Sequence, residues 1–264
     1  MAKQRLDVLL MELNYFTSRE RARSAIMAGE VFIKGQKADK AGMPVDADSS
    51  ITVTSAKQRY VSRGGYKLEE AIKAFELELT HKIVLDIGAS TGGFTDCALQ
   101  NGADKVYAVD VGYGQLAWQL RQDERVIVRE RVNARYLTEA EVPEKVDIVT
   151  IDAAFISLSK LMPTAAKFLK QQGLIISLIK PQFEAGRENV GRKGVVRDAG
   201  VHRSVIEKVI GEAEEKGIYA KKIVASPIKG PEGNVEFLCE FSLQSPVTVT
   251  SEDIKLIVDM VHVK

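Results

Sequence analysis

From His81 onward, short apolar runs recur with helix-length material between them, and this repeat limits the possible folds more than any other feature of the chain. Ile83–Ile87, Val106–Val109, Val126–Val128, Ile148–Ile151 and Leu174–Ile179 each read as a buried strand. Their starts lie roughly twenty to twenty-six residues apart, room for a helix to carry the chain from one parallel strand to the next. The pattern predicts a parallel, doubly wound α/β sheet. Two further runs, Lys222–Ser226 and Val235–Phe241, are joined through Lys229-Gly230-Pro231-Glu232-Gly233-Asn234, a segment with the composition of a hairpin turn.

The front of the chain follows a different pattern. Leu6, Leu9, Leu10 and Leu13 recur at helical spacing, and Thr17 or Ser18 is placed to cap a second helix carrying Ala22, Ile26 and Met27. Gly29 ends that helix. Val31–Ile33 and Ile51–Val53 read as short strands, with a turn at Lys34-Gly35. Residues 1–58 therefore form a small α+β domain. Residues 59–65, with the pair Gly64-Gly65, read as a linker, and residues 66–264 as the α/β domain, opening on a helix from Tyr66 to Phe75.

A chain of 264 residues with 45% hydrophobic content fills a small domain and a standard one. The formal net charge of +1 announces no nucleic-acid partner, so that argument rests on where the charges lie. Cys97 and Cys239 cannot frame a zinc site, and His81, His202 and His262 show no ligand spacing, so no metal is expected. Met1-Ala2-Lys3-Gln4-Arg5 opens no signal peptide, and Leu174–Ile179 is far too short to span a bilayer. The expected location is cytoplasmic, without a membrane partner.

The turn after the first strand of the large domain carries the clearest binding signal. Asp86-Ile87-Gly88-Ala89-Ser90-Thr91-Gly92-Gly93-Phe94 places glycines where backbone passes close to a ligand at the carboxyl edge of a sheet. Ser90 stands where the dinucleotide fingerprint has its second glycine, and no Gly-Lys-Ser/Thr follows, so neither that motif nor a P-loop is present. Asp86 suits a ligand bearing an amino group. Asp110, closing the second strand, can accept the two hydroxyls of an adenosine ribose, and Asn133 lies after the third strand near the adenine position. The pattern indicates S-adenosylmethionine, with its methionyl end toward Asp86.

Four charged residues fall where such a sheet delivers side chains to its active edge. Lys67 precedes the first strand, Asp152 ends the fourth, Lys180 ends the fifth and Glu236 begins the last. Charged groups among apolar neighbours are costly unless paired, so two structural ion pairs are the plain alternative to a catalytic set. Taken in order, Lys-Asp-Lys-Glu resembles the tetrad of the FtsJ-type ribose 2′-O-methyltransferases. Ser62-Arg63-Gly64-Gly65-Tyr66-Lys67-Leu68, Ile179-Lys180-Pro181-Gln182-Phe183-Glu184 and Gly233-Asn234-Val235-Glu236 extend the likeness over nearly the whole chain, which resembles the TlyA family.

That resemblance implies a Rossmann-like catalytic domain with a mostly parallel seven-stranded sheet, S-adenosylmethionine as cofactor, and a cytidine ribose in ribosomal RNA or ribosomal subunits as target. It makes Lys180 the group that takes or steers the hydroxyl proton, with Asp152 and Glu236 holding the lysines and Lys67 reaching the target phosphate or ribose. No Asn-Pro-Pro-Tyr motif follows the fourth strand, and neither cysteine follows a proline, which disfavours base methylation.

Arg5-Leu6-Asp7, Ser18-Arg19, Ala22, Ile26, Gly29, Val31, Ile33 and Gly35 resemble the αL RNA-binding motif of the S-four type. Arg5, Arg19, Arg23 and Lys34 are its candidate RNA contacts, with Arg19 and Arg23 four apart on one helix face. Such modules also precede pseudouridine synthases, so the front domain does not select the reaction. A non-catalytic RNA-binding or ribosome-assembly factor on the same fold is the alternative. A hemolysin, a label often carried in the family, is less favoured because no membrane-spanning segment is present.

Overall fold

The computed structural model describes residues 3–13, 15–16, 18–46, 49–53, 59–230 and 232–262. It divides into two units, residues 1–59 and 60–264. Of the positions singled out above, Met1, Ala2, Thr17 and Pro231 lie outside the described residues.

The first unit runs β1 (Lys3–Arg5), α1 (Leu6–Glu12), α2 (Arg19–Ala28), β2 (Val31–Ile33), β3 (Gln36–Lys37), β4 (Pro44–Asp46) and β5 (Ile51–Val53). Ser18 caps α2 by accepting from the Arg21 amide, and Gly29 ends it in the left-handed conformation. Lys34 and Gly35, both at positive φ, make the two-residue reversal between β2 and β3. Leu6, Leu9, Leu10, Ala22, Ile26 and Val31 form the core. Leu13 and Met27, expected on the buried faces, are exposed, because α1 stops at Glu12 and Met27 lies on the outer side of α2. The pairing of β1 with β4 was not anticipated, since neither three-residue strand carries an apolar run.

The second unit runs α3 (Gly64–Phe75), β6 (Ile83–Ile87), α4 (Gly93–Gln100), β7 (Lys105–Asp110), α5 (Trp118–Arg121), β8 (Val126–Glu130), β9 (Val146–Ile151), α6 (Met162–Phe168), β10 (Leu169–Ile179), α7 (Pro181–Glu184), α8 (Ala199–Glu214), β11 (Tyr219–Ala225), β12 (Phe237–Ser242) and α9 (Ser251–His262). Its seven-stranded sheet has the order β11-β12-β10-β9-β6-β7-β8. The five strands from β10 to β8 are mutually parallel, and β12 pairs antiparallel with both β10 and β11. Alternate residues feed opposite faces: Leu85, Ile87, Val149 and Ile151 enter one core, and Val84, Ile148, Ile176 and Leu178 the other. Covering both faces explains why these strands read as unbroken apolar runs.

Two features differ from the expectation. Gly64 and Gly65 belong to α3 rather than to a loop. A side chain at Gly65 would meet the Tyr60 ring at 2.3 Å, so the glycine serves close packing rather than chain reversal. Strand β10 begins at Leu169, five residues before its apolar run, because Lys170-Gln171-Gln172 hides its start. The register shifts between Leu169 and Leu174.

Candidate active site

The carboxyl ends of β6, β7 and β9 open into a cavity of about 630 Å³, at the edge where ligands enter sheets of this kind. One side is shaped by the turn between β6 and α4, where Gly88, Ser90 and Gly92 all adopt positive φ. Gly88 and Ala89 donate to the Val109 carbonyl, which fixes the turn against β7. A Cβ on Gly88 would lie 2.8 Å from the Asp152 carbonyl oxygen, so this glycine lets the β6 and β9 ends approach. Gly93 faces the cavity at the start of α4 and permits the close approach of α3, since a Cβ there would meet the Gly65 amide nitrogen at 2.8 Å.

The expected cofactor residues divide into two groups. Gly88, Gly93, Phe94, Asp110 and Asn133 line the cavity. Asp110 accepts from the Ser90 amide at 2.8 Å and the Gly112 amide at 2.7 Å, one on each oxygen. Asn133 accepts from the Arg135 amide through Oδ1, leaving its amide group for other partners. Gly92 does not line the cavity; its missing side chain leaves room for Leu120 and Leu116 behind the turn.

Asp86 also differs from its expected place. Its side chain lies on the sheet face covered by α4, where it is fully buried and accepts from Thr95 Oγ1 at 2.7 Å and Thr150 Oγ1 at 2.8 Å. It lies beneath the cavity wall rather than on it. Burial pushes its carboxyl up to about 6, against the two threonine hydrogen bonds that favour the anion. Between the ordinary carboxylate value and that one, the folded chain holds a proton that the unfolded chain has released. The contribution of Asp86 to stability is therefore complete in acid and declines as pH rises through about 6. Asp86→Asn is expected to gain roughly 1–3 kcal/mol over the parent at pH 7 and almost nothing at pH 4, measured by urea unfolding at both values. An equal effect at the two pH values would refute this.

The four charged residues meet at one end of the cavity, which all of them line. Lys180 Nζ lies 2.5 Å from Asp152 Oδ1, an ion pair whose angle falls outside hydrogen-bond geometry. Asp152 Oδ2 lies 3.9 Å from Lys67 Nζ, and Lys67 donates to Glu236 Oε2 at 2.7 Å. The charges alternate along the row Lys180, Asp152, Lys67, Glu236. Lys67 stands between two carboxylates, whereas Lys180 has one ion-pair partner among the described residues. An ammonium has three donors; Lys67 commits one of them to Glu236, so Lys180 keeps the larger capacity for a substrate oxygen.

The surroundings hold this row in place. The Asp152 amide donates to the Ile87 carbonyl at 3.0 Å. The Leu158 amide donates to Glu184 Oε1 at 2.7 Å, which fastens the chain after Asp152 to the helix after Lys180. Burial raises the Glu184 carboxyl. The sequence reading left Ser62, Ser90 and Gln115 unmarked as cavity residues: Ser62 and Ser90 sit inside the Ser62–Leu68 and Asp86–Phe94 motifs, whose other members carry the signal, and Gln115 offers only polar character. It also passed over Phe155, which lines the cavity, is 91% exposed and sits at positive φ beside the Phe183 ring, 5.1 Å between centroids. An exposed aromatic in a strained backbone conformation is unusual and marks a candidate contact surface.

In the first unit, Arg5 and Arg19 converge on the buried Asp7. Arg5 makes two 3.0 Å hydrogen bonds to its carboxylate and Arg19 one. The Arg5 hydrogen bonds, joined by that of Arg19, hold the Asp7 carboxyl down at about 2 against the effect of burial. Both arginines stay about half exposed. Arg23 and Lys34 are exposed on α2 and on the β2–β3 turn, and neither joins the Asp7 cluster.

Comparison with known proteins agrees with this division. Residues 60–242 match the FtsJ-like methyltransferase family and residues 4–51 match the S4 domain. The chain is 48% identical to the Bacillus subtilis protein YqxC, named as an rRNA methyltransferase, over 98% of this chain and 94% of the relative. It is 40% identical to the Mycobacterium tuberculosis 16S/23S rRNA (cytidine-2′-O)-methyltransferase TlyA, over 98% and 96%. A solved Streptococcus thermophilus structure titled as a hemolysin superposes with a TM-score of 0.79 at 44% identity, covering 99% of this chain and 96% of that one. With the sheet order, the cavity and both matched regions in accord, the chain belongs to the FtsJ-like methyltransferases and carries an S4 domain ahead of the catalytic fold.

Proposed function

We propose that this protein transfers a methyl group from S-adenosylmethionine to the 2′-hydroxyl of a cytidine ribose in ribosomal RNA. The observation that carries the reading is the alternating row Lys180, Asp152, Lys67, Glu236 at the cavity end. The two full-length relatives named for ribosomal RNA methylation support the substrate class.

The residues present suit the cofactor. A cavity of about 630 Å³ falls within the usual range for a small-molecule site. Each Asp110 oxygen accepts one backbone amide and keeps lone-pair capacity for a ribose hydroxyl. The Asn133 amide and the apolar walls at Val111, Val132 and Phe94 suit a purine. When bound, S-adenosylmethionine supplies a methyl on a sulfonium already activated toward in-line attack. Removing the Asp110 carboxylate should weaken cofactor binding about 10- to 100-fold, the effect of losing hydrogen bonds to a charged acceptor. Calorimetric titration of Asp110→Ala with S-adenosylmethionine measures this, and parent-like affinity would remove Asp110 from the site.

The chain's own residues then act on the hydroxyl. Lys180 meets the ribose oxygen and takes or steers its proton. Asp152 fixes Lys180, and Glu236 fixes Lys67 so that it can face the target phosphate or ribose. The exposed Phe155 ring at the rim offers a stacking face to an unpaired base. The S4 domain supplies phosphate contacts from Arg5, Arg19, Arg23 and Lys34. Among the described residues no helix is long and apolar enough to cross a membrane.

The test is incubation of unmodified ribosomal subunits with the protein and S-adenosylmethionine, followed by alkaline hydrolysis of the RNA. Ribose methylation leaves a protected phosphodiester at the modified position. Full hydrolysis at every position, in both subunits, would contradict the reading.

A further inference from the structure

The segment between α7 and α8 has no role in the chemistry above, yet both its ends are tied to the charged row. It leaves α7, the helix that directly follows Lys180, and returns to the strand that follows Glu236 through the buried side chain of Asn234. Asn234 Oδ1 accepts from the Val196 amide at 3.0 Å, and Nδ2 donates to the Gly194 carbonyl at 2.8 Å. The Asn234 carbonyl accepts from the Gly230 amide at 2.9 Å. Gly230 and Glu236 both line the cavity, so one buried side chain joins the cavity wall to the 194–196 backbone.

That backbone forms a closed turn. The Gly191 amide donates to the Val195 carbonyl and the Gly194 amide to the Gly191 carbonyl, while Lys193 and Gly194 both take positive φ. Val195 and Val196 are buried and anchor one side. The exposed positions of the turn carry charge. Residues 187–197 hold four cations, Arg187, Arg192, Lys193 and Arg197, against the single acid Glu188. Arg187, Lys193 and Arg197 are exposed and make no ion pair among the described residues. A locally basic turn with few acids and no exposed large apolar side chain suits a phosphate backbone better than a protein surface.

We propose that this turn is a phosphate-contacting arm for the RNA strand that carries the target ribose, and that Asn234 is the positioning residue that sets the arm beside Glu236. The inference rests on the RNA methyltransferase reading and deepens it. The arm holds flanking phosphates on the Glu236 side of the cavity, and strand docking and alignment of the charged row share the Asn234 link.

Salt dependence separates this from a purely structural role. Full-length protein without cofactor is titrated against a fluorescent transcript of large-subunit ribosomal RNA over a salt series. Removing one cation from a phosphate should reduce the slope of log affinity against log salt by roughly 0.7–0.9. Arg187→Ala/Lys193→Ala/Arg197→Ala, made at exposed positions, is expected to flatten the slope by about 2–3. Asn234→Ser is expected to flatten it too, although all the cations remain. Parent-like slopes in both variants would overturn the proposal. A flattened slope in the triple variant with a parent-like slope in Asn234→Ser would overturn the role of Asn234. Absence of methyl transfer by the parent protein would strike the underlying reading instead, because these titrations contain no cofactor.

Discussion

Lys180→Ala is expected to lower the rate of methyl transfer to ribosomal subunits by roughly 10²- to 10⁴-fold, the usual contribution of a positioned proton-transfer group. The fold should survive the change. Asp152 would still have Lys67 at 3.9 Å and its amide bonded to the Ile87 carbonyl, so its carboxylate is not left without a cation. Cofactor affinity should change little, because the groups proposed to hold the adenosine, Asp110 and Asn133, lie on other strand ends. Lys180→Arg tells how the residue works. A guanidinium keeps its proton at any accessible pH, so arginine restores activity only where orientation is the whole task. Single-turnover rates for both variants, with calorimetry for the cofactor, make the measurement. Near-parental turnover in Lys180→Ala would remove the residue from the chemistry.

The second large effect concerns stability. Lys67 Nζ lies 2.7 Å from Glu236 Oε2, and Glu236 is only 2% exposed. Lys67→Met removes that partner and leaves a buried carboxylate uncompensated, a change that typically costs about 3–5 kcal/mol. Lys67→Met/Glu236→Gln should recover much of the loss, since a neutral amide needs no counter-charge. Urea unfolding of the parent, the single variant and the double variant forms the cycle. A single-variant loss below about 1 kcal/mol would mean that Glu236 is not held by Lys67 in the way the distances indicate.

The strands of the large domain were legible because both faces of the sheet are buried. Ile83–Ile87 matches β6 residue for residue, and the charged row stands out because lysines and carboxylates interrupt or end apolar runs. The start of β10 was hidden, since its first turn of sequence, Lys170-Gln171-Gln172, is exposed and polar. Depth along a strand was harder to read than the strand itself. Asp86 and Asp110 both follow apolar residues near a strand end, yet Asp86 faces Thr95 and Thr150 under α4 while Asp110 reaches the cavity. Asp86 pairs with Ala108, so Asp110 shares its face of the sheet but stands two residues further toward the carboxyl edge, where a side chain leaves the layer under α4 and reaches the cavity. The glycines illustrate a similar limit. Gly65 and Gly92 looked like loop or ligand glycines, but a Cβ on them would meet Tyr60 at 2.3 Å and Leu120 at 2.2 Å, so what requires them is packing that forms only in the folded chain. Phe155 was silent in sequence because its exposure and positive φ are properties of the folded loop.

The most direct test of the central claim is the identity of the methylated nucleoside. Unmodified ribosomal subunits are incubated with the protein and methyl-tritiated S-adenosylmethionine, and the RNA is digested to nucleosides and separated. The account predicts that the label migrates as 2′-O-methylcytidine and is lost with Lys180→Ala. Label on a base-methylated nucleoside, or undiminished 2′-O-methylcytidine with Lys180→Ala, would contradict it.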